Sequence, residues 1–232
     1  MIRTVFFDLM DTLVRGPEKP RAKVYRTLGF RTLDEFDECG EAVTLESPGL
    51  SAKRFFEALY TWRGIEPDRC AILEASSTWY NSFADVVFID GARQCLIDLK
   101  EDGYTLAIVS NAYPPTHKLI DDLKLYGLVD HVFLSCDIGA WKPSARAFEV
   151  PLRTMGASAH STCMIGNRIS TDIVGAIGAN ISPILFKPTR STGYTVVQGQ
   201  EVSSAETLSH IPGLISSQDF LRGSSLGRRS KR

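Results

Sequence analysis

At 232 residues the chain is long enough for one large domain, or for a main domain with an insert, and for a substantial buried core. An apolar content of 44%, a charged content of 23% and a formal net charge of −1 are those of a globular protein, and no global field draws it to nucleic acid or an anionic membrane. No run of about 18 apolar residues marks a membrane-spanning helix.

In chain order, residues 2–7, "IRTVFF", form a short apolar run suited to a buried strand. Residues 17–86 then read as amphipathic helix. In "SAKRFFEALYTWRG", Phe55, Phe56, Leu59 and Trp62 recur at helical spacing, with Ser51 as N-cap and Gly64 as stop. From Gly91 a regular rhythm begins: helix "ARQCLIDLKEDG", strand "YTLAIVS", helix "THKLIDDLKLYG", strand "HVFLSC". It continues with helix "SARAFEVPLRTMG", bending at Pro151, then strand "TCMIG", helix "STDIVGAIGAN" and strand "PILF". Strands alternating with helices of about 10–13 residues predict right-handed parallel crossovers, hence a doubly wound α/β sheet with helices on both faces. The helical stretch interrupts this pattern, so the expected division is a core of 1–14 and 87–215 with an insert of 15–86. After residue 188 the expectation is an irregular segment and a closing helix, followed by a disordered basic Gly/Ser-rich tail over 216–232. The five cysteines show no C-x-x-C pair, and no basic-apolar leader opens the chain. Both features predict reduced thiols and a cytoplasmic protein.

In such a sheet, ligands bind in the crevice at the carboxyl ends of the strands. Asp8 ends the first strand, and Ser110 and Asn111 end the next. Lys142-Pro143 follows the third, while Gly166-Asn167 ends the fourth with Asp172 shortly after. Each has a plain structural explanation, as a helix cap, a helix-entrance residue or a first-turn acid. Their convergence on one edge from four strands is what singles them out.

These segments, "FFDLMDTLV", "LAIVSNA", "GAWKPSARAF" and "MIGNRISTDIVGAIGAN", resemble in order and separation the four motifs of the haloacid dehalogenase-like (HAD) hydrolase superfamily. The resemblance covers residues 1–188 and implies a Rossmann-like core with a helical cap inserted after the first motif. It implies Asp8 as nucleophile, Ser110 binding the transferring group, and Lys142 holding Asp8 and the incoming anion. Asn111, Thr12 and Met10 would lie against the substrate. Mg²⁺ would be held by Asp8, the Met10 carbonyl, Asn167 and Asp172. The residue types suit phosphoryl transfer: a carboxylate that forms a covalent intermediate divides a hard displacement into two easier ones, and fixed cations and donors stabilise the charge on the moving group.

Two positions depart from the pattern of the family's phosphatases. Where they carry an aspartate two residues after the nucleophile, as proton donor, this chain has Met10, and a thioether cannot carry a proton. Asp11 occupies the next position, whose side chain is expected to point elsewhere. Asn167 stands where a charged ligand is usual. Three readings follow. One is a phosphatase acting on a small phosphorylated metabolite with a good leaving group. Another is a metal-independent 2-haloacid dehalogenase-like hydrolase. The last is a catalytically degenerate fold that binds. Arg15 and Arg21 are candidates to hold a substrate carboxylate. Trp62, Trp79, Tyr80 and Phe83 are candidates to line a pocket, against the plainer reading as core. The four histidines show no ligand spacing. The oligomeric state has no signature in the sequence.

Overall fold

The structure, a computed structural model, describes residues 1–16, 20–188 and 193–217. The first apolar run becomes β1 (Thr4–Phe7), buried along its whole length. A tight turn, in which Asp11 takes a left-handed φ of 59°, leads to β2 (Val14–Arg15). Four helices follow: α1 (Pro20–Thr27), α2 (Leu33–Glu46), α3 (Ala52–Trp62) and α4 (Arg69–Ser82). The chain returns through β3 (Val87–Phe88), antiparallel to β2. It then alternates through α5 (Ala92–Glu101), β4 (Thr105–Ser110), α6 (Thr116–Asp122), β5 (His131–Leu134), α7 (Ser135–Ile138), α8 (Arg146–Thr154), β6 (Thr162–Gly166), α9 (Val174–Gly178) and β7 (Ser182–Phe186). It closes with β8 (Gly193–Val197), β9 (Gln200–Ala205) and α10 (Ile211–Ser216).

Seven strands form one sheet in the order β5-β4-β1-β6-β7-β9-β8, every pair parallel except β8–β9. Because side chains alternate across a strand, Phe7 enters a core with Leu96, Ile108, Leu119 and Ile211 on one face. Phe6 enters another with Val109, Phe148 and Met164 on the opposite face. Both rings are fully buried, worth roughly 1.5–3 kcal/mol each. From β1 the chain builds outward to β4 and β5, then returns to place β6 on β1's other flank. The strand order therefore reverses beside β1, where such folds open their ligand crevice. The four helices have a core of their own, with Phe36, Phe55, Phe56, Leu59 and Trp79. The expected α3 caps are present: Ser51 Oγ accepts from Arg54 N and Gly64 takes φ 69°.

The sequence reading errs in several places. The segment expected to be irregular after residue 188 contains the β8–β9 hairpin, joined by Gln198 and Gly199, both at positive φ, the two-residue turn that suits a twisted hairpin. "HVFLSC" ends as a strand at Leu134, because Ser135 turns its hydroxyl back to exchange bonds with the Ala112 backbone, and α7 follows. The helix expected through Gly127 stops at Asp122, since Lys124 is left-handed. The helix after β6 starts with a π-turn over Ile169–Ile173 before α9. The helix expected over the Pro151 segment is present as α8, which contains that proline. Of the expected tail, residues 218–232 lie outside the described residues, as does the Arg21 side chain. All five cysteines are free thiols. Among the described residues no helix is long and apolar enough to cross a membrane.

Candidate active site

The central strand hands its last ladder position to Asp8, whose backbone N–H donates to Ile165 O at 2.9 Å. Phe7 is in register with Ile108 on one side and Ile165 on the other, so Ser110 and Asn167 emerge at nearly the same level as Asp8. Ser110 Oγ donates to Asp8 Oδ1 at 3.2 Å. Lys142 arrives from the loop between α7 and α8, where Asn111 locks it in place: Asn111 Nδ2 donates to Lys142 O at 2.8 Å, and Lys142 N donates to Asn111 Oδ1 at 2.7 Å. The Lys142 ammonium then reaches Asp8 Oδ1 at 2.7 Å, Asp172 Oδ1 at 2.7 Å and Val109 O at 2.8 Å. An ammonium has three N–H groups, and these partners take all of them.

Asp172 lies on the π-turn after β6, a device that commonly re-aims a side chain at a functional site. Its Oδ2 accepts from Arg168 N at 2.9 Å. It packs so tightly on the end of β6 that a Cβ added at Gly166 would collide with the carboxylate, which accounts for the glycine there. Burial, and next the Asp8 charge, push the Asp172 carboxyl above its ordinary value of 3.8, against the pull of Lys142 and of the Arg168 N–H. The arrangement is thus two buried carboxylates sharing one cation.

Thr12 is fully buried beneath Asp8, its Oγ1 lying 3.4 Å from Asp8 Oδ2 and 3.3 Å from Asn167 Oδ1. It serves the carboxylate and is not part of the cavity wall. Asn111 borders the cavity, but its amide is engaged with the Lys142 backbone. Met10 is 39% exposed and borders the cavity, as does Asp11, against the expectation that it would be turned elsewhere. The oxygens available at Asp8, Asp172, Asn167 and the Met10 carbonyl are the donor type Mg²⁺ takes, and two carboxylates on a single lysine leave negative charge that a divalent ion would neutralise. The residues fit such an ion.

Above these groups lies a cavity of about 560 Å³, within the range of small-molecule sites. Asp8, Ser110, Lys142 and Asp172 line its floor, Asp37 and Glu41 of α2, Trp79 and Ser82 of α4 and Phe83 just after it face them, and Tyr113 and Trp141 complete the wall. Of the four aromatics expected at a pocket, Trp79 and Phe83 line it. Trp79 is core as well, at 6% exposure, while Trp62 is half exposed and Tyr80 lies outside the wall. Arg15 is exposed and borders no part of it. Sequence reasoning missed Asp37, Glu41, Tyr113 and Trp141. For the last two a signal existed: Tyr113 lies three residues after Ser110 and Trp141 adjoins Lys142, both already singled out.

Tyr113 belongs to the loop after β4 but inserts into the helical core, its ring centroid 5.3 Å from that of Phe55 and 5.8 Å from that of Trp79. Its hydroxyl donates to Asp37 Oδ1 at 3.1 Å. Gly40 lets α2 approach this ring, since a Cβ there would stand 2.7 Å from Tyr113 Cε1. Trp141 Nε1 donates to Thr44 Oγ1 at 3.0 Å. The two residues flanking the floor thus tie α2 over it.

Comparison with known proteins agrees with this geometry. The haloacid dehalogenase-like hydrolase family matches residues 2–180. A glyceraldehyde 3-phosphate phosphatase of Methanothermobacter thermautotrophicus is 31% identical, over 80% of this chain and 85% of that protein. A ribulose-1,5-bisphosphate 5-phosphatase of Halopiger xanaduensis is 26% identical, over 93% of this chain and 100% of its own length. Among solved structures, a 2-haloacid dehalogenase of Pseudomonas syringae superposes with a TM-score of 0.69 at 19% identity, covering 93% of this chain and 99% of that one. A HAD hydrolase of Bacillus subtilis bound to magnesium gives 0.62 at 21%, with the same coverage. With the motifs in order, the sheet reversal beside β1 and a family match across most of its length, this chain belongs to the haloacid dehalogenase-like hydrolases.

Proposed function

We propose that the protein is a cytoplasmic phosphatase of small phosphorylated metabolites that uses Asp8 as its nucleophile. The observation that carries this reading is the Asp8 carboxylate on a cavity floor, 2.7 Å from the Lys142 ammonium and 3.2 Å from the Ser110 hydroxyl, with Asp8 and Ser110 delivered by the tips of β1 and β4 and Lys142 by the loop between α7 and α8. The phosphatases among its relatives support the same reaction class. Asp8 attacks the phosphorus, the P–O bond to the leaving group breaks, and water then cleaves the aspartyl phosphate. Ser110 turns its hydroxyl from Asp8 to a phosphoryl oxygen. Lys142 holds Asp8 in line, and it reaches the phosphoryl group only by releasing one of its present acceptors. Asp8, Asp172, Asn167 and the Met10 carbonyl would hold Mg²⁺, which supplies positive charge against the developing anion. Met10 leaves the departing oxygen without a proton donor, which favours substrates whose leaving group is already stable as an anion.

The test is phosphate release from p-nitrophenyl phosphate and from acyl phosphates. It should require Mg²⁺, disappear with EDTA and vanish in Asp8→Asn, and beryllium fluoride with Mg²⁺ should trap on the Asp8 carboxylate. Chloride release from 2-haloacids that survives EDTA would replace this reading with the dehalogenase one. Inactivity toward both classes, with no trapping, would replace it with a binding role.

A further inference from the structure

Among the described residues, one grouping of metal-ligating side chains lies outside the lining of the cavity: His117, Cys136 and Asp137. His117 is on α6 and the other two are on α7, with β5 between those helices in the chain. His117 and Asp137 are 20 residues apart, so the fold, and no local spacing, assembles them. The ligand atoms of all three lie within 4.8 Å of one another. His117 Nε2 is 2.9 Å from Asp137 Oδ1, and Cys136 Sγ is 3.8 Å from the same oxygen. The cysteine is buried, whereas the histidine and aspartate side chains are 43% and 34% exposed. The sulfur therefore forms the base of a site that opens to solvent between the other two. The backbone beneath is fixed: Ser135 Oγ exchanges bonds with the Ala112 backbone, and Cys136 O accepts from Gly49 N at 2.8 Å. A half-exposed His–Asp pair alone contributes little to stability, and it does not require a thiol directed at its acceptor oxygen.

We propose that His117, Cys136 and Asp137 bind a zinc ion, with water in the fourth position. The donor set selects the metal. A thiolate, an imidazole nitrogen and a carboxylate oxygen are ligands that zinc takes together, whereas magnesium and calcium take oxygen. Zinc stands about 2.3 Å from sulfur and about 2.0–2.2 Å from nitrogen and oxygen, which at a tetrahedral angle puts N and O about 3.3 Å apart and S about 3.6 Å from each. The present separations of 2.9 Å and 3.8 Å fall on either side of those values, so side-chain rotation suffices to seat the ion. On binding, the Cys136 S–H bond breaks, its proton passes to solvent and the sulfur–zinc bond forms. The charge of the ion offsets the burial that disfavours the free thiolate. The bound ion clamps α6 to α7, the helices that follow the strand tip of Ser110 and precede the loop of Lys142.

The experiment titrates the full chain, reduced and stripped of metal, with Co²⁺ in an excess of Mg²⁺ that covers sites made of oxygen alone. One equivalent of Co²⁺ should give the thiolate-to-cobalt charge-transfer band and the visible absorption of a four-coordinate ion, and Zn²⁺ should remove both. Cys136→Ser should abolish the charge-transfer band. His117→Ala should weaken Zn²⁺ binding by at least about tenfold in competition with a chromogenic chelator. Cys70→Ser, at the exposed cysteine, should change neither result. No charge-transfer band in the parent, a band that survives Cys136→Ser, or a band lost in Cys70→Ser overturns the proposal. So does an affinity for Zn²⁺ that His117→Ala leaves unchanged. His117 is half exposed, so that variant decides the matter by itself where circular dichroism shows Cys136→Ser unfolded. None of these readouts depends on phosphatase activity.

Discussion

Replacing Lys142 by methionine keeps the side-chain length but removes the cation between two carboxylates. Asp172 is 1% exposed and Asp8 8%, so neither can recover its lost partner from bulk water without rearrangement. Removing one member of a buried ion pair costs about 3–5 kcal/mol, which for a chain of this length is a fall in Tm on the order of 10 °C. The penalty should depend on pH in a definite direction. The Asp172 carboxyl is already raised above 3.8 by burial and by Asp8, and Lys142 is the main influence holding it down. Without the lysine its folded value rises further, so between 3.8 and that value the folded variant binds more protons than the unfolded chain. Its stability is then greatest at low pH and is lost as pH rises through the folded value. Urea unfolding followed by tryptophan fluorescence should therefore show a Lys142→Met deficit that is largest at pH 8 and smaller at pH 5.5. Adding Asp172→Asn should recover about 1–3 kcal/mol at pH 8, the coupling expected of contacting residues. A variant as stable as the parent at pH 8, a deficit that ignores pH, or additive single and double variants would each refute the shared-cation account.

Other outcomes follow from the same geometry. Met10→Asp should restore a proton donor beside the nucleophile and raise kcat on unactivated alkyl phosphates by up to about 10²-fold. It should leave p-nitrophenyl phosphate nearly unchanged, and equal gains on both would show that proton supply is not what the methionine limits. Asn111→Ala removes both bonds to the Lys142 backbone and should cost about 1–3 kcal/mol in unfolding free energy together with a fall in kcat. A normal kcat would mean Lys142 is positioned without it. Gly40→Ala drives a methyl into the Tyr113 ring and should cost about 1–3 kcal/mol by overpacking. Because that contact holds α2 over the floor, KM should rise more than kcat falls.

What was legible in the sequence was local in its physics. An apolar run ending in an acid places Asp8 at a strand tip whatever the rest of the chain does, and the same holds for Ser110 and for the glycine-to-Asp172 segment. The β8–β9 hairpin escaped because its signal is weak in composition. Ser203, Ser204 and Gln200 read as loop, yet Ser203 and Ser204 are buried, because β9 pairs with β7 and β8 on either side. The cavity wall escaped for a different reason. Tyr113 meets Asp37 across 76 residues and Trp141 meets Thr44 across 97, and no periodicity records which face of α2 will be drawn over the floor. Asp37 and Glu41 lie within the stretch that reads as amphipathic helix, with no motif to mark them. The packing of Tyr113 against Gly40 is what sets them on the cavity wall.

The energetics of the floor also bear on whether the site still works. A fold kept only for binding gains nothing from holding Asp172 buried beside Asp8. Its raised carboxyl shows that the charged form is disfavoured there, and apolar replacements for buried ion clusters are often neutral or stabilising. The glycine at 166, the π-turn and the Asn111 clamp all serve to keep that unfavourable carboxylate and its lysine in position. Buried charge held on a cavity floor is the pattern of a site whose charge is used in a reaction. On the proposed phosphatase reading, Met10 would alter which leaving groups that reaction can expel, while Asp8, Ser110, Lys142 and Asp172 stand in mutual contact at the cavity floor.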